Sequence, residues 1–333
     1  MSTFGELQFD IALPQVFIDG RPDPDAMSAF AANAEQLGFG GLWTQDQVIG
    51  QASTMEPIAA LCFVAACTRQ IRLGVSVIVL PHRAPIALAK SLATLDQLSR
   101  GRLELGLGMG NPHPHERAFG IEPDIRGQRL ARFRSGLAVM KALWEEGTAT
   151  HAEGPWPLQS APMQPKPLQR PGPRIWFGGK HPNALRRAAQ NAHGWMGAGS
   201  STIDEFVTQS ALMRDQVAAF YQHSNPFRIA KRIYLAVDAD AARAERRLRE
   251  WFHHYYGNAE MASRVCVWGS KDAVIDAIGK VAEAGADLIL LHPVFDLEQH
   301  AELLADALSL SGRAGAVDEV ARQSKANERT RSC

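Results

Sequence analysis

An α/β barrel of eight strand–helix units is the fold class this sequence predicts. Three observations lead to it. Short apolar runs alternate with stretches of three- and four-residue apolar spacing through nearly the whole chain, the signature of a parallel sheet flanked by helices. Eight such strands can be counted, each followed by a helix. Residues 71–111 read as a strand (IRLGVSVIVLP), an amphipathic helix (PIALAKSLATLDQLSRG) and a second strand running into glycines (RLELGLGMGN), two parallel strands joined by a crossover.

The elements follow in order. Residues 9–14 form a first strand. Asp23 then caps a helix with Pro24 at its first position, lined on one face by Met27, Phe30, Ala31, Ala34 and Leu37 and ended by Gly38. A short strand at 41–44 and a helix at 55–66 lead into the third strand. The helix after it carries Ile86, Ala89, Leu92, Leu95 and Leu98 on one face and stops at Gly101, and the fourth strand is 103–108. A Pro-, His- and Gly-rich loop fills 111–127 before a helix at 128–144. Residues 145–173 hold seven prolines and read as an extended excursion inserted before the fifth strand. Alternation then resumes. Strands are expected at 174–177, 194–196, 232–237 and 288–292, with helices at 183–191, 203–221, 241–255, 273–284 and 297–310. Residues 1–312 are therefore expected to form a single barrel domain, and the small, polar, charged stretch 313–333 a disordered tail.

Composition narrows the partners. Across 333 residues, 35 Lys and Arg balance 35 Asp and Glu, so no overall field attracts nucleic acid or anionic lipid, and small molecules are the expected partners. The four cysteines (Cys62, Cys67, Cys266, Cys333) show no CxxC or metal-ligand spacing, which suits free thiols in a reducing compartment. The amino terminus has no basic n-region, and no run of about 18 apolar residues exists, so a cytoplasmic protein without a membrane span is expected.

Two glycine motifs carry the chemistry. Gly106 to Gly110 (GLGMG) follow a strand, but the NPHPH after them forbids the helix that a dinucleotide fingerprint must open into. Either a flat ring approaches the backbone closely at Gly108, Gly110 and Asn111, or the glycines serve tight packing at the barrel mouth. In WFGGK, Gly178, Gly179 and Lys180 leave a strand towards a helix amino terminus, where exposed amides attract phosphate; Lys180 or Arg186 could supply counter-charge, and a plain strand–helix turn is the alternative. Asp46 and Gln47 fall just past the second strand, at the face where barrel enzymes keep their sites, although short acidic side chains commonly cap turns. His113 and His115, next to Glu116, lack the matching ligands of a metal site, so no metal is expected. Trp43, Trp176, Trp195 and Trp268 stand near strand ends as pocket walls or core. There is no GxSxG elbow and no P-loop.

Several phrases together resemble the luciferase-like monooxygenase family of flavin and deazaflavin enzymes: AEQLGFGGLWTQD, the 71–110 segment, ERAFGI, RIWFGGKHPNALRRAAQNAHGWM and the closing AGADLILLHP. The resemblance runs over about residues 9–295 and implies a TIM barrel that binds its cofactor at the carboxyl face. It implies a cis peptide between Ser76 and Val77, bulging against the ring, with the phosphate at Gly178 and Gly179. It also implies a homodimer. Many members carry a histidine directly after the strand-two aspartate, where this chain has Gln47, which cannot shuttle a proton near neutral pH. His82, His113 or His115 could take that role.

Two chemistries compete within this resemblance. One is hydride transfer between coenzyme F420 and a small organic substrate; the other is oxygenation by reduced FMN supplied by a separate flavin reductase. The Ser76–Val77 pair and the missing histidine favour F420, because a deazaflavin passes hydride and needs only binding and orientation. A third reading is a non-catalytic flavin-binding barrel, supported by Gln47 alone. Expected catalytic residues are Asp46, Gln47 and His113. Expected cofactor contacts are Ser76, Val77, Gly108, Gly110, Asn111, Gly178, Gly179 and Lys180.

Overall fold

The computed structural model describes residue 4 and residues 7–18, 20–112, 114–122, 125, 127–145 and 147–310. The 313–333 stretch and His113 lie outside the described residues. Among those described, eight parallel strands close on themselves: β1 (Gln8–Ala12), β2 (Gly41–Thr44), β3 (Arg72–Val79), β4 (Leu103–Gly108), β5 (Arg174–Gly178), β6 (Gly194–Gly197), β7 (Arg228–Val237) and β8 (Leu288–Pro293). Each pairs with its sequence neighbour, and β8 pairs with β1 to seal the barrel. Helices α1 (Pro24–Gln36), α2 (Pro57–Cys67), α3 (Pro85–Leu98), α4 (Gln128–Glu145), α5 (Pro182–Asn191), α6 (Ile203–Phe220), α7 (Ala241–Tyr256), α8 (Glu260–Val265), α9 (Lys271–Glu283) and α10 (Leu297–Ala307) cover the outside. This is the TIM barrel that the strand count predicts.

The local signals act as expected at α1, where the Asp23 side chain accepts from the Ala26 amide at 2.9 Å and Met27, Phe30, Ala31 and Ala34 are buried. Helix α3 departs from expectation. Its buried stripe is Leu88, Ala89, Leu92, Ala93, Leu95 and Asp96, while Ile86 and Leu98, at the helix ends, are exposed. The 145–173 insertion contains an antiparallel ribbon of Thr148–His151 with Leu158–Pro162 and two cis prolines, Pro165 and Pro171. Strand β7 begins four residues before the predicted start, at Arg228, because Lys231 and Arg232 interrupt its apolar pattern. Sequence periodicity also missed α8 and the short Val267–Gly269 strand that extends the edge of β7.

Inside the barrel, Trp43 and Trp176 meet edge to face at 6.2 Å between centroids. Gly74 and Gly194 make room for them: a Cβ at either position would lie within 2.5 Å of an indole carbon. Each indole donates to a buried carboxylate, Trp43 to Asp10 and Trp176 to Glu104, both at 2.6 Å. Arg72 pairs with Glu104, whereas Asp10 is held by neutral donors, Trp43 and the Gln8 amide. Burial therefore dominates at Asp10 and pushes its carboxyl up from 3.8 to about 6.

A folded-state pKa above the unfolded one means that folding favours the protonated acid. Asp10's contribution is then fully present below about pH 4 and lost as pH rises through 6, a change on the order of 3 kcal/mol. We expect Asp10→Asn to gain stability relative to wild type by roughly that amount between pH 4 and 7.5, measured by urea unfolding. Parallel stability–pH curves for the two proteins would contradict this.

Candidate functional site

A cavity of about 360 Å³ opens at the carboxyl ends of the strands. Its principal wall is built by an irregularity in β3. Val75 pairs with Leu105 and Ile78 with Leu107, so β3 carries one residue more than β4 between these points, a β-bulge. Val75 and Ile78 both pack into the core under the helices, although they stand three residues apart, and Val77 is left lining the cavity. The Ser76–Val77 peptide is cis. The glycines opposite are fitted to this bulge: a Cβ on Gly106 would lie 2.2 Å from the Val75 carbonyl oxygen, one on Gly108 2.5 Å from a Val77 methyl, and one on Gly178 3.1 Å from the other. Of the two meanings given to the GLGMG glycines, close packing is what the structure shows at Gly106 and Gly108.

The structure brings Ser76, Val77, Gly108, Gly110, Asn111, Gly178, Gly179 and Lys180 together around the one cavity. Gly179 has φ +129°, a conformation that glycine adopts freely, and the Trp195 indole donates to its carbonyl at 2.8 Å. Helix α5 starts just beyond, capped by His181. Its cavity-lining cation is Arg187 and not Arg186, one of the two counter-charges expected at this turn; one residue is about 100° of helical rotation, and it carries Arg186 over the Phe220 ring at 4.5 Å. Lys180, Arg187 and Arg232 give the cavity three cationic side chains, and no carboxylate lines it among the described residues.

Sequence reasoning missed the side of the cavity made by β7. Arg232 donates from Nη2 to the Ser76 carbonyl at 2.8 Å, bracing the bulge from across the barrel, and its buried Nε has no partner among the described residues. Tyr234 donates to Gln45 at 2.6 Å and shares a 2.6 Å hydroxyl contact with Tyr256. Gln45 is in turn locked to Gln15 by two 2.7 Å bonds. Lys231, on the helix side of β7, donates to the Ala198 and Ser201 carbonyls at 2.6 and 2.8 Å and fixes the loop that supplies Ala198 to Ser200 to the cavity wall; burial pulls its ammonium down to about 7. Lys231 and Arg232, adjacent cations in the middle of the mostly apolar RIAKRIYLAV, were the available signal.

Asp46 and Gln47 line a second chamber of about 230 Å³, which shares Gly110, Asn111 and Tyr256 with the first. Asp46 accepts from the Val79 amide at 2.9 Å with one oxygen and pairs with Arg83 through the other. Gln47 donates to the Tyr255 carbonyl at 3.0 Å and accepts from Thr54 at 3.3 Å. His82 also lines this chamber, stacked on Phe119 at 4.3 Å with its Nε2 3.9 Å from a Glu116 oxygen, whereas His115 is exposed outside both chambers. Of the tryptophans near strand ends, Trp43 and Trp176 fill the barrel, Trp195 stacks on Phe206, and Trp268 packs beside the outer aromatic cluster of α7. No group of three His, Cys, Asp or Glu that could hold a metal ion occurs among the described residues, and no described helix is long and apolar enough to cross a membrane.

A model of the luciferase-like monooxygenase family matches residues 7–288. The chain belongs to this family. Among family relatives, it is 31% identical over 170 residues to the oxygenase component of the flavin-dependent trigonelline monooxygenase of Acinetobacter baylyi, covering 50% of this chain and only 46% of that protein. It is 29% identical over 237 residues to the F420-dependent glucose-6-phosphate dehydrogenase of Kineococcus radiotolerans, 68% of each chain. The structure of the monooxygenase RslO1 from Streptomyces bottropensis superposes with a TM-score of 0.74 at 26% identity, over 91% of this chain and 98% of that one. Both cofactor classes of this luciferase-like family, F420 and flavin, are thus represented among the relatives.

The fit between the bulge and its glycines can be measured. Gly108→Ala should cost about 1–3 kcal/mol by overpacking, and substantially less in a Val77→Ala background, so a double-mutant cycle by chemical denaturation should give a clear coupling energy. Additive effects would show that Val77 is not what excludes a side chain at Gly108.

Proposed function

We propose that this chain is an oxidoreductase that transfers hydride between coenzyme F420 and a small organic substrate at the carboxyl face of the barrel. The carrying observation is the first cavity, where a glycine-cleared wall, a cationic set and an orphaned Arg232 donor together suit a flat ring with a phosphate tail. Bound there, F420 would supply hydride chemistry from its ring. In this reading Val77 backs the ring, Gly108, Gly110 and Asn111 allow its approach, and Arg232 offers its free Nε–H to a ring acceptor while holding Ser76. Gly178, Gly179, Lys180 and the start of α5 hold the phosphate, with Arg187 adding charge. Phe133, Phe177 and Met196 keep water from the wall.

The second chamber's polar pair favours F420 over FMN. Asp46 has both oxygens engaged by Val79 and Arg83, and Gln47 cannot titrate and has both ends of its amide bonded. We assign both residues a positioning role, which hydride transfer tolerates well. His113, which lies outside the described residues, is kept as a proposed catalytic residue on its sequence context alone. The same reading places the protein in the cytoplasm as a homodimer, for which exposed Phe63, Ile86 and Leu98 on the neighbouring helices α2 and α3 offer apolar surface. A second reading, an FMN-dependent oxygenase served by a flavin reductase, draws support from the likeness to the trigonelline oxygenase component and RslO1.

Calorimetric titration with each cofactor separates the two. We expect F420 to bind at least about tenfold more tightly than FMN, and reduced F420 to be oxidised by some member of a panel of carbonyl and alkene acceptors. Tighter FMN binding with oxygen consumption from reduced FMN would overturn the F420 assignment. Arg187→Met should weaken F420 binding about tenfold while leaving hydride transfer at saturation nearly unchanged, as expected of uniform binding; an equal fall in the saturated rate would contradict its placement at the phosphate.

A further inference from the structure

The second chamber differs from the first in charge. The first carries Lys180, Arg187 and Arg232; the second, among its described residues, has no lysine or arginine. Its one carboxylate, Asp46, is satisfied by Arg83 and the Val79 amide, and the Glu116 carboxylate beside His82 is paired with Arg129. Among the described lining residues a phosphate or carboxylate would meet no lysine or arginine, so burying it there would carry a large desolvation penalty.

What the chamber does offer is apolar and flat. His82 and Phe119 stack with only 8° between their planes, a rigid slab against which a ring can lie. Val48 and Ile49 stand at the chamber with 51% and 39% exposure, and Tyr256 with 40%, so three large apolar side chains gather where they can contact a ligand but are not covered by the fold. The volume, about 230 Å³, falls below the roughly 300–1,000 Å³ of sites for drug-sized ligands and suits one or two rings. Among the described lining residues, Asn111 and Tyr256 stand at the junction with the first chamber and offer polar recognition there, whereas the Asp46 carboxylate and Gln47 amide are already bonded.

We propose that the second chamber is the substrate site and that it takes an uncharged, flat, largely apolar molecule whose single polar group lies at Asn111 and Tyr256. The inference rests on the oxidoreductase reading for the position of the reactive ring next door, and adds to it the class of substrate. It separates this chain from a phosphosugar enzyme, although the Kineococcus relative is named for glucose 6-phosphate.

The test is calorimetry on the full chain with three probes: 4-methylacetophenone, its charged counterpart 4-acetylbenzoate, and glucose 6-phosphate. The neutral ketone should bind at least about tenfold more tightly than either anion. Ile49→Asp and, separately, Val48→Asp, both at exposed positions that should tolerate the change, should each weaken ketone binding about tenfold while leaving F420 or FMN affinity at the wild-type value. An anion binding as tightly as the ketone, no ketone binding, or ketone affinity unmoved in both variants would overturn the proposal. Ketone selectivity lost in the two variants, combined with failure of wild type to bind either cofactor, would uphold the chamber's preference and contradict the oxidoreductase reading instead.

Discussion

The seating of the β3 bulge against glycines of β4 and β5 is the contact on which the candidate site depends. One extra residue in β3 lets Val75 and Ile78 both remain in the helix-facing core while Val77 is left to the cavity. The bulge can be there only because Gly106 and Gly108 carry no side chains; a methyl on either would overlap the Val75 carbonyl or the Val77 methyl. Arg232 fastens the same bulge from β7 through the Ser76 carbonyl. Three strands thus fix one wall, and the cavity inherits its shape from packing that a sheet of regular register could not provide.

The buried charges of the interior are placed unevenly in the same way. At the amino-terminal end Asp10 and Glu104, the latter paired with Arg72, are buried under Trp43 and Trp176, which plug the interior. At that face the cavity wall is cationic, and Arg232 is central enough to help depress the His292 imidazole well below its ordinary range, after burial itself. The cationic lining of the first cavity makes it attractive to an anionic cofactor while the overall net charge stays at zero.

Much of this was legible in the sequence for particular reasons. Period and punctuation located the barrel: β2 and β4 match the expected boundaries, and Asp23-Pro24 marks the start of α1. Glycine motifs at strand ends are local signals, so Gly108, Gly110, Gly178 and Gly179 were found and the structure gathers them. What stayed hidden depends on three-dimensional phase or long-range pairing. Helical rotation chose Arg187 over Arg186, and the barrel's closure carried Arg232 to Ser76 across 156 residues. Gln45, Tyr234 and Tyr256 form a hydroxyl–amide cluster only after β2, β7 and the end of α7 converge. No spacing in one dimension encodes that meeting.

Hydrogen–deuterium exchange on the full chain, with and without saturating F420, tests the central account most directly, because it asks which backbone the cofactor touches. The account predicts slowed exchange in two segments far apart in sequence, 106–111 and 177–182, together with 75–79, and no change in α9 or α10. Protection confined to other segments, or spread evenly over the barrel, would contradict a ring resting on Val77 with its phosphate at the Gly178–Gly179 turn.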